Sequence, residues 1–140
     1  MTVKLEIYHD LPAAAMTVRQ TVFVEEQGFI DEYDEKDPIS THFVLFDGND
    51  PIATCRVFPK TGTKDYYLGR LAVMKPYRGQ GIGTRMLREA EDHIRSVGGR
   101  AILLHSQSVA EGFYAACGYT ATGLRDEEQG CPHVWMEKIL

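Results

Sequence analysis

The run Arg78-Gly79-Gln80-Gly81-Ile82-Gly83-Thr84 is where the types and spacing of residues speak most directly of chemistry. Glycines remove the Cβ atoms that would hold a ligand away from the backbone. The amphipathic stretch that follows starts a helix inside this bend, and the first turn of a helix carries N–H groups with no partner of their own. Together they make a seat for an anion. An ATP-type loop requires Gly-Lys-Ser/Thr, whereas Gly83 is followed directly by Thr84. A dinucleotide fingerprint places its third glycine at Thr84 or Met86, depending on where the count starts, and no strand-end acid answers ~20 residues on. What remains is Arg78-x-x-Gly81-x-Gly83 directly after a strand. Glycines before a helix also permit close packing on a sheet, so the loop alone does not decide the ligand.

With the preceding Leu71-Ala72-Val73-x-x-x-Tyr77-Arg78-Gly79, the string resembles the pyrophosphate-binding motif of the GNAT superfamily of acyl-CoA-dependent N-acetyltransferases. Arg19-x-x-Val22-Phe23-Val24-Glu25-Glu26-Gln27, Asp37-x-x-Ser40-x-His42 and Leu104-His105-Ser106-Gln107 resemble one subgroup of it, the ElaA/YjcF-like acetyltransferases. The resemblance implies a GNAT-type fold in which the strands flanking the bend splay apart and the pantetheine arm of acetyl-CoA lies in the gap. Carried onto this chain, Leu71, Ala72 and Val73 line that arm, with Val73 N–H polarising the acetyl carbonyl. Arg78, Gly79, Gln80, Gly81, Ile82, Gly83 and Thr84 hold the diphosphate. Tyr114 resembles the tyrosine that many members place beside the sulfur. A phenol, with an ordinary pKa of ~10, can protonate a departing thiolate and stay neutral at pH 7. Aromatic packing of Phe113 and Tyr114 is the plainer account of the same residues.

Acetyl transfer to an amine also needs a group to take the amine's proton. Histone-type members carry a glutamate on the central strand, and here that position is Tyr67. The candidates are Glu26, with Glu25 beside it, His42, His105 and His133. Histidine titrates in the right range, although a lone histidine is more often a satisfied structural residue. Cys131-Pro132-His133 offers two metal-ligand types, but with three cysteines and no Cys-x-x-Cys spacing no metal site is expected.

These residues need elements to position them. Asp10-Leu11-Pro12 is a helix-start signal, Leu11, Ala15, Val18 and Val22 form a stripe, and Gly28 is the stop. Strands are expected over 41–46, 52–58 and 66–73, the first two joined by the turn Asp47–Pro51. Gly83, Leu87, Ala90, Ile94 and Val97 line one face of a helix that Gly98-Gly99 ends. Residues 101–105 form a strand parallel to its predecessor. Ser108-x-x-Glu111 reads as a capping box for a helix running to Cys117, closed by Gly118. Strands over 119–123 and 133–139, separated by a polar loop, finish the chain. The order β-α-β-β-β-α-β-α-β-β implies an α/β fold with a mixed (α+β) central sheet of about six to seven strands flanked by helices, the order the GNAT fold also has.

At 140 residues the chain makes one domain, 1–140. Neither a signal peptide nor a long apolar run is present, so the expected address is cytoplasmic, with no membrane partner. Net charge is −5, yet residues 25–37 hold seven acids against one base. That distribution leaves no basic stripe for nucleic acid. It suggests either a solvated loop or a segment that draws a cationic small-molecule amine to the acceptor side. A second copy of the chain is an admissible partner. The alternative to an acetyltransferase is an acyl-CoA-binding sensor that keeps the cleft without turnover, which the missing strand glutamate permits.

Overall fold

The computed structural model describes residues 2–30 and 33–140; Met1, Asp31 and Glu32 lie outside the described residues, and with the last two goes part of the acidic stretch. The strands are β1 (Val3–Tyr8), β2 (Thr41–Asp47), β3 (Asp50–Pro59), β4 (Asp65–Val73), β5 (Ala101–Gln107), β6 (Thr120–Glu128) and β7 (Cys131–Ile139). They form one seven-stranded sheet in the order β1-β2-β3-β4-β5-β7-β6. Among the described residues only β4 and β5 run parallel, because the chain between them crosses over through the helix α2 (Ile82–Ser96). The mixed α/β architecture expected from the element order is therefore the one present.

The two faces of the sheet are covered differently. Helix α2 sends Ile82, Met86, Leu87, Ala90 and Ile94 into the main core with Phe43, Leu45, Ile52, Ile102, Leu104 and Met136. On the other face Val18 and Val22 close over Ala72, with Phe23 and Met74 at the edge. Alternation along β4 thus turns Ala72 toward the first helix while Leu71 and Val73 meet the α2 side.

Several local expectations are corrected. Helix α1 (Ala13–Arg19) starts after Pro12, which is extended and stands at the cap, and no side chain caps it, Asp10 included. The same helix continues through Gln20–Glu26 as a π-helical segment, with Gln27 N–H reaching back to the Val22 carbonyl; no pattern in the apolar stripe announces that widening. Val97 is half exposed rather than on the buried face of α2. Ser108 opens a 3-10 turn, and Glu111, the first residue of α3 (Glu111–Ala116), is not part of a capping box. Its carboxylate takes Arg125 of β6 at 3.2 Å instead. The expected polar loop 124–132 is a hairpin whose strands β6 and β7 turn at Gln129-Gly130.

Candidate active site

The site begins with a defect in the sheet. Strand β4 pairs with β5 from Asp65↔Ala101 only as far as Leu68↔Leu104. On its other side β4 stays paired with β3 as far as Val73↔Ala53, but Arg56 pairs with Gly69 and Thr54 with Ala72. One extra residue is accommodated there as a bulge, with Arg70 in the left-handed region at φ 54°. The bulge bends β4 away from β5, and the two strands diverge. Met74 N–H donates to Ile52 on β3, so by alternation the polar groups of Val73 and Leu71 face the opened gap.

The glycine-rich bend closes the end of this gap. Gly79 and Gly81 have φ of 77° and 78°, values that side chains rarely tolerate, and a Cβ on either would project into open space. Gly81 is the cap residue of α2 and supplies no side-chain cap, which leaves the first N–H groups of a 15-residue helix for a ligand. Gly83 serves packing: a Cβ there would lie 3.2 Å from the Phe113 ring.

A groove of about 510 Å³ runs along these groups. Its walls include Leu71, Ala72, Val73, Arg78, Gly79, Gly81, Ile82, Gly83, Thr84 and Tyr114. Of the residues expected there, Gln80 alone is not among the lining residues; its amide turns back to donate to the Pro76 carbonyl at 3.2 Å. Tyr77, part of the quoted motif, lines the groove too, as do Val22, Gln27, Ala110 and Phe113, which were not legible. Only the folded chain brings the first helix and α3 to the bend.

On the far side of the splay lies a second cavity of about 420 Å³. Aromatic side chains build much of it: Phe29, Phe58, Tyr67 and Trp135. Tyr67, which stands where histone-type relatives would carry a carboxylate, packs 5.3 Å from Phe58 and 6.1 Å from Trp135, ring centre to ring centre. Arg56, Arg70 and Asp34 line one end, and His105, Glu128 and His133 line another. Groove and cavity share Gln27, Leu71, Ala110 and Tyr114. Burial of Tyr114, with Cys55 and Cys117 nearby, pushes its phenol well above the usual value, so it holds its proton throughout the neutral range.

The other expected proton carriers fall into two groups. Glu26 is exposed and bound by both arms of Arg78, at 2.6 and 2.8 Å, while Arg78 Nε donates to the Val73 carbonyl at 2.9 Å. The hydrogen bond from Arg78 lowers the carboxyl pKa, which makes Glu26 a poor proton acceptor. His42 is buried away from both cavities, its Nε2 2.9 Å from the Asp37 carbonyl, and burial lowers its pKa. In this geometry Glu26 is engaged by Arg78 and His42 by the Asp37 carbonyl. Glu25 lines neither space. His105 and His133 do line the cavity. His105 stacks on Trp135 at 4.7 Å and its Nε2 meets Asp126 at 2.5 Å.

Two acids of the stretch, Asp34 and Asp37, are tied into the protein rather than solvated. Asp37 receives Arg19 at 2.7 and 3.0 Å and Arg56 at 2.9 Å, and Asp34 receives Arg56 at 2.6 Å. Burial alone would raise the Asp37 pKa. The Arg19 hydrogen bond, the Asp34 backbone amide and the Arg56 contact outweigh it and hold the carboxyl far below the ordinary range. Charge on Glu26, Asp34 and Asp37 is thus matched inside the protein rather than presented to an acceptor.

Comparison with known proteins agrees with this geometry. From residue 14 to residue 140 the sequence matches the model of the acetyltransferase (GNAT) domain. YyaT of Bacillus subtilis is 34% identical over 131 residues, covering 90% of this chain and 87% of that protein. The uncharacterized N-acetyltransferase YjcF of the same organism is 32% identical over 127 residues, covering 89% of each. A crystal structure from Lactobacillus plantarum, assigned to the N-acetyltransferases, superposes with a TM-score of 0.91 at 35% identity over 100% of this chain and 99% of that one. Escherichia coli ElaA shares the fold at 21% identity with a TM-score of 0.87, covering 98% and 99%. So does an aminoglycoside 6′-N-acetyltransferase complexed with coenzyme A, at 17% identity and a TM-score of 0.75, covering 99% and 97%. A splayed strand, a glycine-capped helix and sequence kinship over most of the length lead to one assignment: the chain belongs to the GNAT family of acetyltransferases.

Proposed function

We propose that this chain transfers an acetyl group from acetyl-CoA to a primary amine of a small molecule, by direct attack of the amine on the thioester. One observation carries the reading: a groove ending in an anion seat and a separate aromatic cavity meet at Leu71 and Tyr114, in the gap between β4 and β5. The groove's glycines and free helix N–H groups suit a diphosphate. A fold neighbour was crystallised with coenzyme A, which fits the same reading. The cavity's volume and aromatic walls suit a small organic amine better than a polymer.

In this scheme the amine nitrogen bonds to the acetyl carbon while Val73 N–H stabilises the carbonyl oxygen, and the carbon–sulfur bond then breaks. Tyr114 O–H gives its proton to the sulfur, and the acetylated nitrogen loses its extra proton to water in the open aromatic cavity. A buried phenol that never ionises at neutral pH suits the donor role and not the acceptor role. The internal pairing of Asp34 and Asp37 takes these two carboxylates out of electrostatic capture of a cationic amine, and the aromatic walls of the cavity add shape and ring contact to acceptor selection.

Coenzyme binding by calorimetry, paired with thiol release from acetyl-CoA over a panel of primary amines, tests the proposal. Expected is saturable coenzyme binding and thiol release with at least one amine. Binding without thiol release across the panel would select the sensor alternative; absence of binding would remove both.

A further inference from the structure

We infer that His105, Glu128 and His133 form a binding site for one divalent transition-metal ion at the polar end of the aromatic cavity. The ligand-type atoms of the three residues all lie within 4.8 Å of one another. His105 Nδ1 and His133 Nε2 each stand 3.7 Å from the same oxygen, Oε2 of Glu128. Zinc–ligand bonds of about 2.1 Å place tetrahedral neighbours about 3.4 Å apart. Closing the trio onto an ion needs side-chain shifts of about an ångström or less.

Hydrogen bonds on the outer side of each ring carry the inference further than proximity does. His133 Nδ1 lies 2.8 Å from the Cys131 carbonyl. A carbonyl only accepts, so the proton sits on Nδ1, and Nε2 of the neutral ring offers a lone pair toward Glu128. His105 Nε2 lies 2.5 Å from the Asp126 carboxylate. That contact anchors the outer nitrogen and turns His105 Nδ1 toward Glu128. In the neutral rings the lone pairs of His105 Nδ1 and His133 Nε2 point at the same carboxylate oxygen, so a cation placed among the three is bound by all of them. Imidazoles anchored through the second nitrogen by a carboxylate or a backbone carbonyl are the usual support of metal-bound histidine.

The fold holds this group firmly. β5 and β7 bring the rings together through the pairs His105↔Trp135 and Gln107↔His133, and the rings lie 4.5 Å apart. β6 delivers Glu128 through its pair with Cys131. Two imidazoles and one carboxylate suit zinc and its neighbours in the first transition row. Three protein ligands leave a coordination position open, and all three residues line the aromatic cavity. A histidine that ligates a metal gives up the lone pair a base would use, so the inference moves His105 from proton acceptor to ligand.

The test uses the full chain stripped with chelator, titrated with ZnCl2 by calorimetry and with CoCl2 by visible absorption, in the absence of coenzyme. Its outcome is therefore separate from that of the acetyl-transfer reading. Expected is one saturable equivalent per chain. Glu128→Gln, at a half-exposed position that leaves the fold intact by circular dichroism, weakens zinc at least tenfold. Asp126→Asn, which touches no metal, weakens it about tenfold or more by releasing the His105 tautomer, and Cys131→Ser leaves it unchanged. The site is overturned if no saturable binding occurs, if Glu128→Gln binds zinc as tightly as the parent, or if the cobalt spectrum shows thiolate charge transfer that Cys131→Ser removes.

Discussion

Arg19–Asp37 and Arg78–Glu26 are the same chemical pair, a two-armed guanidinium–carboxylate contact, in opposite surroundings. The first is sealed, its side chains 1% and 6% exposed; the second is open, at 38% and 37%. Distances do not distinguish them, since each has a shortest contact of 2.7 or 2.6 Å. Burial does. A sealed pair cannot exchange partners without stranding a charge out of water. An exposed one exchanges with ions at little cost. The sealed pair, extended by Arg56 and Asp34, therefore fixes the first helix against β3, while the open pair stands at the anion seat and can release its arginine to a diphosphate.

The sealed side is where the largest effect is expected. Asp37→Ala leaves Arg19 and Arg56 facing each other without their shared carboxylate, a loss of about 3–5 kcal/mol that thermal or urea unfolding would read. The same group sets an acid limit. The folded-state pKa values of Asp34 and Asp37 lie below the ordinary 3.8. Their contribution is thus complete above about pH 4 and is lost as pH falls through the folded values. His42, lowered by burial from 6.5, has the same sign and acts at higher pH. Melting temperature should decline on acidification below neutrality and drop steeply below about pH 4. A parent and an Asp37→Ala variant with parallel acid profiles would break the comparison.

Tyr114 extends the contrast to an uncharged group. It is buried like Asp37 but lines the groove like Arg78, so its removal should touch catalysis and spare both folding and coenzyme affinity. Tyr114→Phe is expected to lower kcat about 10²-fold with the coenzyme Kd unchanged. A variant as active as the parent would return Tyr114 to aromatic packing. An effect of similar size, on binding rather than turnover, is expected at the seat. Gly81→Asp puts a carboxylate where the anion sits, on a backbone at φ 78°, and should weaken coenzyme A by about 10²-fold in calorimetry.

The two sides also differed in how far the sequence disclosed them. The bend was legible because glycine spacing and a helix start are local, and all but one of the residues expected there line the groove. The sealed network was not, because Asp37 finds Arg19 18 residues and Arg56 19 residues away along the chain. Composition alone shows a run of acids and hides what neutralises them. The second half of β6, residues 124–128, was read as loop for a related reason. β6 is the free edge of the sheet and every residue in it is exposed, so no apolar alternation marks that half as strand. Without β6 and its register to β7, Glu128 could not be placed beside His105 and His133, which have no metal-ligand spacing in the sequence.

The smallest expected effect is the most pointed test of the open pair. Glu26→Gln removes the carboxylate that occupies Arg78 and lets the guanidinium meet the diphosphate without first breaking a contact. Exposed pairs contribute little, so coenzyme A should bind only up to about fivefold more tightly. The gain should shrink as salt is raised, because screening already loosens the parent pair. The melting temperature should be unchanged, as for other exposed surface positions. If the variant bound coenzyme more weakly, Glu26 would be the group that aims Arg78 at the ligand rather than the one that withholds it. The open pair would then be as fixed in its partner as the sealed one, whatever its exposure.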